Sequence, residues 1–250
     1  MAGPTTLARP DGEVIAYHAR AGKSPGVLFC GGFKSDMTGT KAMALDAACA
    51  ASGRAFVRFD YLGYGASSGD FRAGTIGRWR DDTLAVLGQL TSGPQIVVGS
   101  SMGGWLALLA AIARPERVRA LVLVAPAPDF TEALMWATMT PAQREILLRD
   151  GVLLEPSDYA DEPYAITLKL IEEGRHHLIL DAGIPFAGPV RILHGMNDAD
   201  VPWRHSLRLI EALHTADVKL QLYKAGDHRL SGPGELADLC AAVEGLAAGL

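Results

Sequence analysis

The chain of 250 residues is 49% hydrophobic and 20% charged, which provides enough apolar side chains for a large buried core. Its 28 glycines and 14 prolines are too few for a collagen-like or disordered chain. The net charge of −5, without a cluster of Lys or Arg, argues against nucleic acid and against an anionic membrane surface as partners.

The cysteines and the apolar segments bear on location. Cys30, Cys49 and Cys240 form an odd set without a C-x-x-C pair, which argues against a disulfide framework or a zinc site and favours a reducing compartment. The first ten residues lack the apolar segment of a signal peptide. The longest apolar stretch, residues 106–113, is far shorter than the ~18 residues that span a bilayer. We therefore expect a cytoplasmic protein without a membrane span.

Short apolar runs alternate with segments of helical spacing in the first half of the chain. Continuous rather than alternating apolar character is typical of parallel strands that are covered on both faces. An antiparallel edge hairpin is expected around residues 14–17. The predicted strands are residues 27–30, 55–59, 95–98 and 120–124, and the predicted helices are residues 41–51, 75–90 and 102–114.

The alternation stops after Pro126 and resumes near residue 190. Between them we expect no strand and three helices, at residues 132–139, 141–150 and 164–174. A strand at 190–193, a helix at 203–214, a strand at 218–223 and a helix from Glu235 follow. Strand–helix alternation predicts an α/β fold with a mostly parallel central sheet and helices on both faces. The core would comprise residues 1–129 and 186–250, with a helical cap of residues 130–185 inserted into a single domain.

The segment Gly99-Ser100-Ser101-Met102-Gly103 fits the pattern G-x-S-x-G between a predicted strand and a predicted helix. In a nucleophile elbow the serine occupies such a turn, and the glycines let neighbouring backbone approach it. This context predicts Ser101 as a nucleophile. The alternative is an ordinary strand-to-helix turn with a capping serine.

A serine nucleophile requires a base and an acid that orients the base. Asp198 follows the predicted strand at 190–193, and His228 follows the strand at 218–223. The order Ser101, Asp198, His228 is that of the α/β-hydrolase triad. Asp200 is the alternative acid, or else a capping residue for the next helix. His194 is expected to hold the Asp198 loop.

Two backbone N–H groups are predicted to form an oxyanion hole. Met102 directly follows the predicted nucleophile, and Phe33 follows Gly31-Gly32 after the first predicted parallel strand. The alternative for the second segment is an ordinary glycine turn. In the predicted cap, Met135, Trp136 and Met139 are candidates to line an acyl pocket, or else to form the core of the cap.

Other motifs give no cofactor site. The glycines at 63–69 and the segment 32–41 have the wrong spacing for a dinucleotide fingerprint or a phosphate loop, and no His and carboxylate pattern suggests a metal. Asp60 is expected to brace loops. The pair Asp81-Asp82, with Arg78 and Arg80, is expected to form a solvated helix face.

Motifs spread along the whole chain resemble those of the α/β-hydrolase superfamily. The chain is similar, more narrowly, to the mitochondrial acyl-protein (palmitoyl) thioesterases that also act as acyl-glucuronide esterases, and to their bacterial relatives. The resemblance implies Ser101, Asp198 and His228 as the triad and Phe33 and Met102 as oxyanion donors. The motifs are Gly32-Phe33 with Ser35, Gly39-Thr40-Lys41, Arg58-Phe59-Asp60-Tyr61, the run from Gly99 to Trp105, Ala111-Ile112-Ala113-Arg114-Pro115-Glu116, Leu193-His194-Gly195-Met196, Val201-Pro202-Trp203 and Asp227-His228-Arg229.

These observations predict a serine hydrolase that cleaves carboxylic esters or thioesters through an acyl-enzyme, with no metal or organic cofactor. The expected substrates are small-molecule or acyl-chain esters or thioesters, with S-acylated proteins as a further candidate class. The alternatives are perhydrolase or peptidase chemistry on the same triad, or a non-catalytic binding protein of this fold. A single sequence does not indicate the oligomeric state.

Overall fold

The computed structural model describes residues 3–155 and 164–250 of the protein. Ten strands lie in these ranges: β1 (Thr5–Ala8), β2 (Val14–Arg20), β3 (Lys23–Cys30), β4 (Arg54–Phe59), β5 (Gln95–Ser100), β6 (Val118–Val124), β7 (Val152–Glu155), β8 (Tyr164–Thr167), β9 (Val190–Gly195) and β10 (Val218–Tyr223). The α-helices are α1 (Thr40–Ser52), α2 (Ile76–Gln89), α3 (Met102–Ala113), α4 (Pro141–Asp150), α5 (Leu168–Gly174), α6 (Arg204–Ala212) and α7 (Pro233–Ala247).

Eight of the strands form one sheet in the order β1-β2-β4-β3-β5-β6-β9-β10. The hairpin of β1 and β2 pairs antiparallel, and β2 also pairs antiparallel with β4. All other neighbours in this sheet are parallel. The predicted mostly parallel sheet with an antiparallel hairpin at one edge is therefore confirmed.

Alternate residues of the central strands pack into separate cores on the two faces of the sheet. On β5, Val97 contacts the core that α2 and α3 cover, whereas Ile96 and Val98 contact the core that α1 and α7 cover. Successive strand side chains point to opposite faces, so a strand covered twice must be apolar at every position. This is why continuous apolar runs correctly indicated parallel strands with helices on both faces.

The inserted region contains a strand pair that the sequence did not predict. α4 lies where a helix was expected, with Thr140 and Gln143 forming a capping box at its start. The predicted helix at 164–174, however, begins only at Leu168, because Tyr164–Thr167 is β8 and pairs antiparallel with β7. The expectation of no strand between residues 130 and 185 is wrong. Residues 156–163 of the predicted cap lie outside the described residues, and the division at 129 and 185 stays a prediction.

The chain enters the inserted region through two irregular helical turns. Thr131–Met135 is a π-helical turn, and Trp136–Thr138 is a 3₁₀ turn. These replace the regular helix predicted over residues 132–139. The wider π-helical turn is common at functional sites, and here it leads directly to side chains that line the cavity described below.

Asp82 corrects the expectation of a solvated helix face on α2. Its side chain is fully buried, accepts the backbone N–H of Leu62 at 3.0 Å, and lies 3.3 Å from both Arg9 and Arg78. Arg80 and Asp81 do form an ion pair on the surface. Residues 78 and 82 are one helical turn apart and so share the face that turns inward.

Asp129 ties the beginning of the inserted region to its end. This buried residue follows β6 with a φ of 58°, and its carboxylate accepts the backbone N–H groups of Ile179 at 2.9 Å and Leu180 at 3.0 Å. The two oxygens thus hold segments that are fifty residues apart in sequence.

We expect Asp129→Ala to lower the free energy of unfolding by about 2–4 kcal/mol, because two buried N–H groups lose their acceptor. Denaturant unfolding measures this change. Asp181→Ala is the matched control: the Asp181 side chain is 98% exposed and pairs with Arg208 on the surface, so its removal should change stability by less than about 0.5 kcal/mol. Equal effects of the two substitutions would contradict the role of Asp129.

No helix within residues 3–155 and 164–250 combines the length and the apolar composition that crossing a bilayer requires.

Candidate active site

Ser101 occupies a strained turn between β5 and α3. Its φ of 54° and ψ of −120° are unusual for a residue other than glycine. A Cβ atom at Gly99 would collide with the carbonyl oxygen of Gly103, and one at Gly103 would collide with the carbonyl oxygen of Cys30. The glycines of G-x-S-x-G are therefore required for the close approach of backbone that forms this turn.

His228 lies beside Ser101, although 127 residues separate them in sequence. Its Nε2 atom is 3.0 Å from Ser101 Oγ, and its Nδ1 atom is 2.7 Å from Asp198 Oδ2. Asp198 follows β9, and His228 follows β10. The carboxyl ends of these two strands lie at the same edge of the sheet as the carboxyl end of β5, which leads to Ser101. The structure thus brings together the three residues of the predicted triad in one hydrogen-bonded chain.

The Asp198 carboxylate is buried and accepts hydrogen bonds on both oxygens. Oδ1 accepts the backbone N–H groups of Asp200 at 3.0 Å and Val201 at 2.8 Å. Burial alone would raise the pKa of Asp198, but the hydrogen bonds from His194 and His228, together with the N–H of Val201, hold this pKa well below its ordinary value. The carboxylate is therefore ionised throughout the physiological range.

The alternative acid occupies a different place. Asp200 is exposed at the cavity, and its backbone N–H donates to Asp198. Asp198, Asp200 and His228 offer ligand atoms within 4.8 Å of one another. We assign no metal there, because the carboxylate of Asp198 and the imidazole of His228 already bind each other, and an ion would have to break that bond.

The segment that carries the second predicted oxyanion donor is held by aromatic packing. The Phe33 ring lies 5.1–6.0 Å from four other rings, with interplanar angles near 60–70°. The backbone N–H groups of Phe33 and Met102 donate no hydrogen bond to an acceptor within the described residues, and both residues line the same cavity as Ser101. The four rings belong to Phe71, Trp79, Phe130 and Tyr164.

Ser101 and His228 open into a cavity of about 700 Å³, a volume within the range of small-molecule sites. Its apolar lining comes largely from the inserted region, which also contributes the polar residues Thr138, Gln143 and Glu155. Most of the remaining polar lining comes from the loops before α1, after β9 and around His228. The apolar lining includes Phe130, Leu134, Met135, Met139 and Ile166, and the polar lining includes Lys34, Ser35, Asp36, Thr38, Lys41, Asp200, Arg229 and Ser231.

The three predicted pocket residues of the inserted region differ in placement. Met135 and Met139 line the cavity. Trp136 lies outside this lining, and the guanidinium groups of Arg144 and Arg175 lie 5.0 and 5.1 Å from the centre of its ring. Met135 and Met139 are four residues apart, about one helical turn, and so lie on one side of the segment, whereas Trp136 directly follows Met135 and points to a different side.

Sequence reasoning missed several lining residues. Lys41 carries its ammonium group to the carbonyl oxygen of Arg229 at 2.5 Å, and burial lowers its pKa to about 8, with help from the charge of Arg229. Tyr164 lies at the start of the strand that was not predicted. The motif Gly39-Thr40-Lys41 could have pointed to Lys41. The position of Tyr164 could not be found in this way, because it depends on the pairing of two strands.

Comparison with known proteins places the chain in a family. A model of the alpha/beta hydrolase family matches residues 27–239. The chain belongs to the alpha/beta hydrolase family. The resemblance that the sequence motifs indicated is therefore confirmed, and so is the predicted fold.

Several relatives are similar over nearly the whole chain. The palmitoyl-protein thioesterases ABHD10 of Bos taurus and Homo sapiens, both named as mitochondrial, are 42% identical over 96% of this chain and 78% of theirs. The solved structure of alpha/beta hydrolase domain-containing protein 10 from mouse matches with a TM-score of 0.91 at 40% identity, and the match covers 98% of both chains. A structure from Agrobacterium vitis S4 matches with a TM-score of 0.93 at 41% identity, over 98% of this chain and 97% of that one.

These relatives correct one prediction. A cytoplasmic location was expected from the cysteine usage and the first ten residues, but the curated relatives at 42% identity are named as mitochondrial proteins. The cytoplasmic prediction is contradicted. Cysteine usage and the composition of the first ten residues do not distinguish the cytoplasm from the interior of an organelle.

Proposed function

We propose that this hydrolase cleaves long-chain acyl thioesters and esters, with Ser101 as nucleophile, His228 as general base and acid, and Asp198 as the orienting acid. The observation that carries the proposal is the chain of hydrogen bonds from Ser101 through His228 to Asp198, at 3.0 and 2.7 Å, beside the cavity. The 42% identity to palmitoyl-protein thioesterases supports cleavage of an ester or thioester bond.

In the first half-reaction, Nε2 of His228 takes the proton of Ser101 Oγ as Oγ attacks the acyl carbon. The resulting oxyanion would accept the N–H groups of Phe33 and Met102, which have no acceptor among the described residues. Collapse of the tetrahedral intermediate breaks the bond to the thiol or alcohol, which leaves with the proton from His228. The acyl group remains on Ser101 as an ester.

In the second half-reaction, His228 takes a proton from water, and the resulting hydroxide attacks the acyl-enzyme. The second tetrahedral intermediate releases the carboxylic acid, and Ser101 Oγ regains a proton from His228. The ionised Asp198 carboxylate stabilises the imidazolium that forms in each half-reaction. Every step uses side chains that are present in this chain, so the mechanism needs no cofactor.

We propose that the acyl chain occupies the side of the cavity formed by residues 130–185, which act as a cap inserted between residues 1–129 and 186–250 of one domain. Leu134, Met135 and Ile166 offer apolar surface on that side. The polar side, with Lys41 and Ser231, would face the leaving group. S-acylated proteins remain a proposed substrate class, supported by the names of the relatives.

The rate should rise with acyl-chain length until the apolar side is filled. Each buried CH₂ group contributes about 0.8 kcal/mol, so kcat/KM is expected to increase up to about fourfold per added carbon. A series of acyl thioesters from two to sixteen carbons, with matched oxoesters and anilides, measures this dependence. A flat series, or faster cleavage of the anilides, would contradict the proposal and favour a short-chain esterase or a peptidase.

A variant series locates the acyl site. Met135→Trp should fill the apolar side, and so reduce kcat/KM for the longest thioester at least tenfold while changing the two-carbon substrate by less than threefold. Leu148→Trp is the matched control, since Leu148 is 59% exposed and lies outside the described lining. Equal losses on long and short substrates would place the acyl chain elsewhere.

A further inference from the structure

The hydrogen-bonded chain continues beyond Asp198 to a second histidine. His194 lies in β9 and is fully buried. Its Nδ1 is 2.7 Å from Ser206 Oγ in α6, and its Nε2 is 2.9 Å from the carbonyl oxygen of Val201. The same Nε2 lies 3.2 Å from Asp198 Oδ2, the oxygen that His228 binds.

These partners determine which nitrogen of His194 carries the proton in the neutral ring. The carbonyl of Val201 can only accept a hydrogen bond, so Nε2 carries the hydrogen. Nδ1 then accepts the hydroxyl proton of Ser206. The Nε2–H group of His194 therefore lies between Val201 and Asp198, and can donate to both.

Asp198 Oδ2 thus has two N–H donors, one from His194 and one from His228. A carboxylate oxygen that already accepts a hydrogen bond carries less negative charge toward a second donor. Asp198 is consequently a weaker partner for the imidazolium of His228 than it would be without His194. Oδ1 is occupied by the N–H groups of Asp200 and Val201, so the carboxylate has little freedom to rotate.

We propose that His194 is a positioning residue that shares the Asp198 carboxylate with His228 and limits how strongly Asp198 retains the proton on the catalytic base. The inference rests on the proposed function. Because the two histidines share the carboxylate, His228 can accept the proton of Ser101 at a lower pH than it could if Asp198 bound His228 alone.

The other charged groups near this network stay unchanged in the test. His228 has Asp198 and Asp200 on the β9 side, Asp227 and Arg229 on its own loop, and Lys41 from α1, which contacts the Arg229 carbonyl. His194 has Asp198 on one side and α6 on the other, where the second buried histidine, His205, lies. A change confined to the His194 ring therefore reports on the Asp198 carboxylate.

Two amide substitutions separate the two nitrogens of His194. The amide nitrogen of His194→Gln can reach the position of Nε2 and keep the donor to Asp198. The shorter His194→Asn can replace only Nδ1 beside Ser206, so the donor to Asp198 is lost. In a plot of kcat/KM against pH, the acid limb is the part where kcat/KM falls as the pH is lowered. We expect His194→Asn to move this limb to higher pH by about half to one unit, which corresponds to a three- to tenfold lower kcat/KM at a given pH on the limb. The alkaline plateau should stay within about threefold, and His194→Gln should restore the wild-type limb.

The controls separate positioning from loss of structure. His205→Asn removes another buried histidine, whose Nε2 binds the carbonyl of Pro128 at 2.7 Å, and should leave the limb in place. If His194→Asn does not fold, as judged by thermal melting, His194→Phe removes the donor while filling the space. The proposal would be overturned if His194→Asn left the acid limb in place or moved it to lower pH. It would also be overturned if His205→Asn moved the limb as far as His194→Asn does. Turnover by Ser101→Ala at a rate near that of the wild type would instead overturn the proposed function, so the two failures are distinguishable.

Discussion

Ser101→Ala is expected to lower kcat/KM for an acyl thioester by about 10⁴- to 10⁶-fold, because the acyl-enzyme can no longer form. The residual rate would come from binding and from the oxyanion donors. The steady-state rate with a long-chain thioester measures the loss. A fluorophosphonate probe, which reacts with activated serines, should label the wild-type protein at Ser101 alone and leave the variant unlabelled.

Ser100→Ala is the control for this substitution. Ser100 precedes the nucleophile, ends β5 and is 7% exposed, so the variant removes one hydroxyl from the same turn. We expect it to keep kcat/KM within about fivefold and to retain labelling at Ser101. Labelling of folded Ser101→Ala equal to that of the wild type would refute the assignment of the nucleophile.

The residues around the nucleophile could be predicted because local sequence determines them. A G-x-S-x-G segment between an apolar run and a helical segment leaves few conformations for Ser101, and close backbone contacts then require Gly99 and Gly103. Asp198 and His228 follow from the same logic. Parallel strands bring their carboxyl ends to one edge of a sheet, so residues that follow different strands meet there.

The inserted region could not be predicted in the same way, because its structure depends on long-range pairing. Val152–Glu155 and Tyr164–Thr167 have four residues each, too short for periodicity to separate strand from helix. Their pairing with each other decides the outcome. Trp136 shows a related difficulty, since spacing alone does not tell which side of a helical segment faces the cavity, and the side that does so carries Met135 and Met139.

Charged residues at helical spacing were misjudged for a different reason. Arg78 and Asp82 have the pattern of a solvated surface, yet Asp82 is completely buried against Arg9 from the first segments of the chain. His194 was expected only to hold a loop, but it also lies 3.2 Å from Asp198. The burial of Asp82 depends on a contact with a residue distant in sequence. The role of His194 depends on which nitrogen of its ring carries the proton. A pattern of residues shows neither.

Asp198→Asn is expected to lower kcat/KM by about 10⁴-fold, whereas Asp200→Asn should change it by less than about threefold. The reason is the tautomer of His228. An asparagine amide that keeps the N–H groups of Asp200 and Val201 on its oxygen presents its NH₂ group to Nδ1 of His228. The imidazole would then carry its proton on Nε2, which could no longer accept the proton of Ser101.

The pH dependence sharpens this comparison. The wild-type carboxylate is ionised because the hydrogen bonds of His194 and His228 hold its pKa below the ordinary value, so Asp198 adds no second acid limb above about pH 4. Any loss of activity between pH 9 and pH 5 should therefore come from a group other than Asp198. Measurement of kcat/KM from pH 5 to 9 for both variants tests this, since a large loss in Asp200→Asn with near-normal Asp198→Asn would reassign the acid to Asp200.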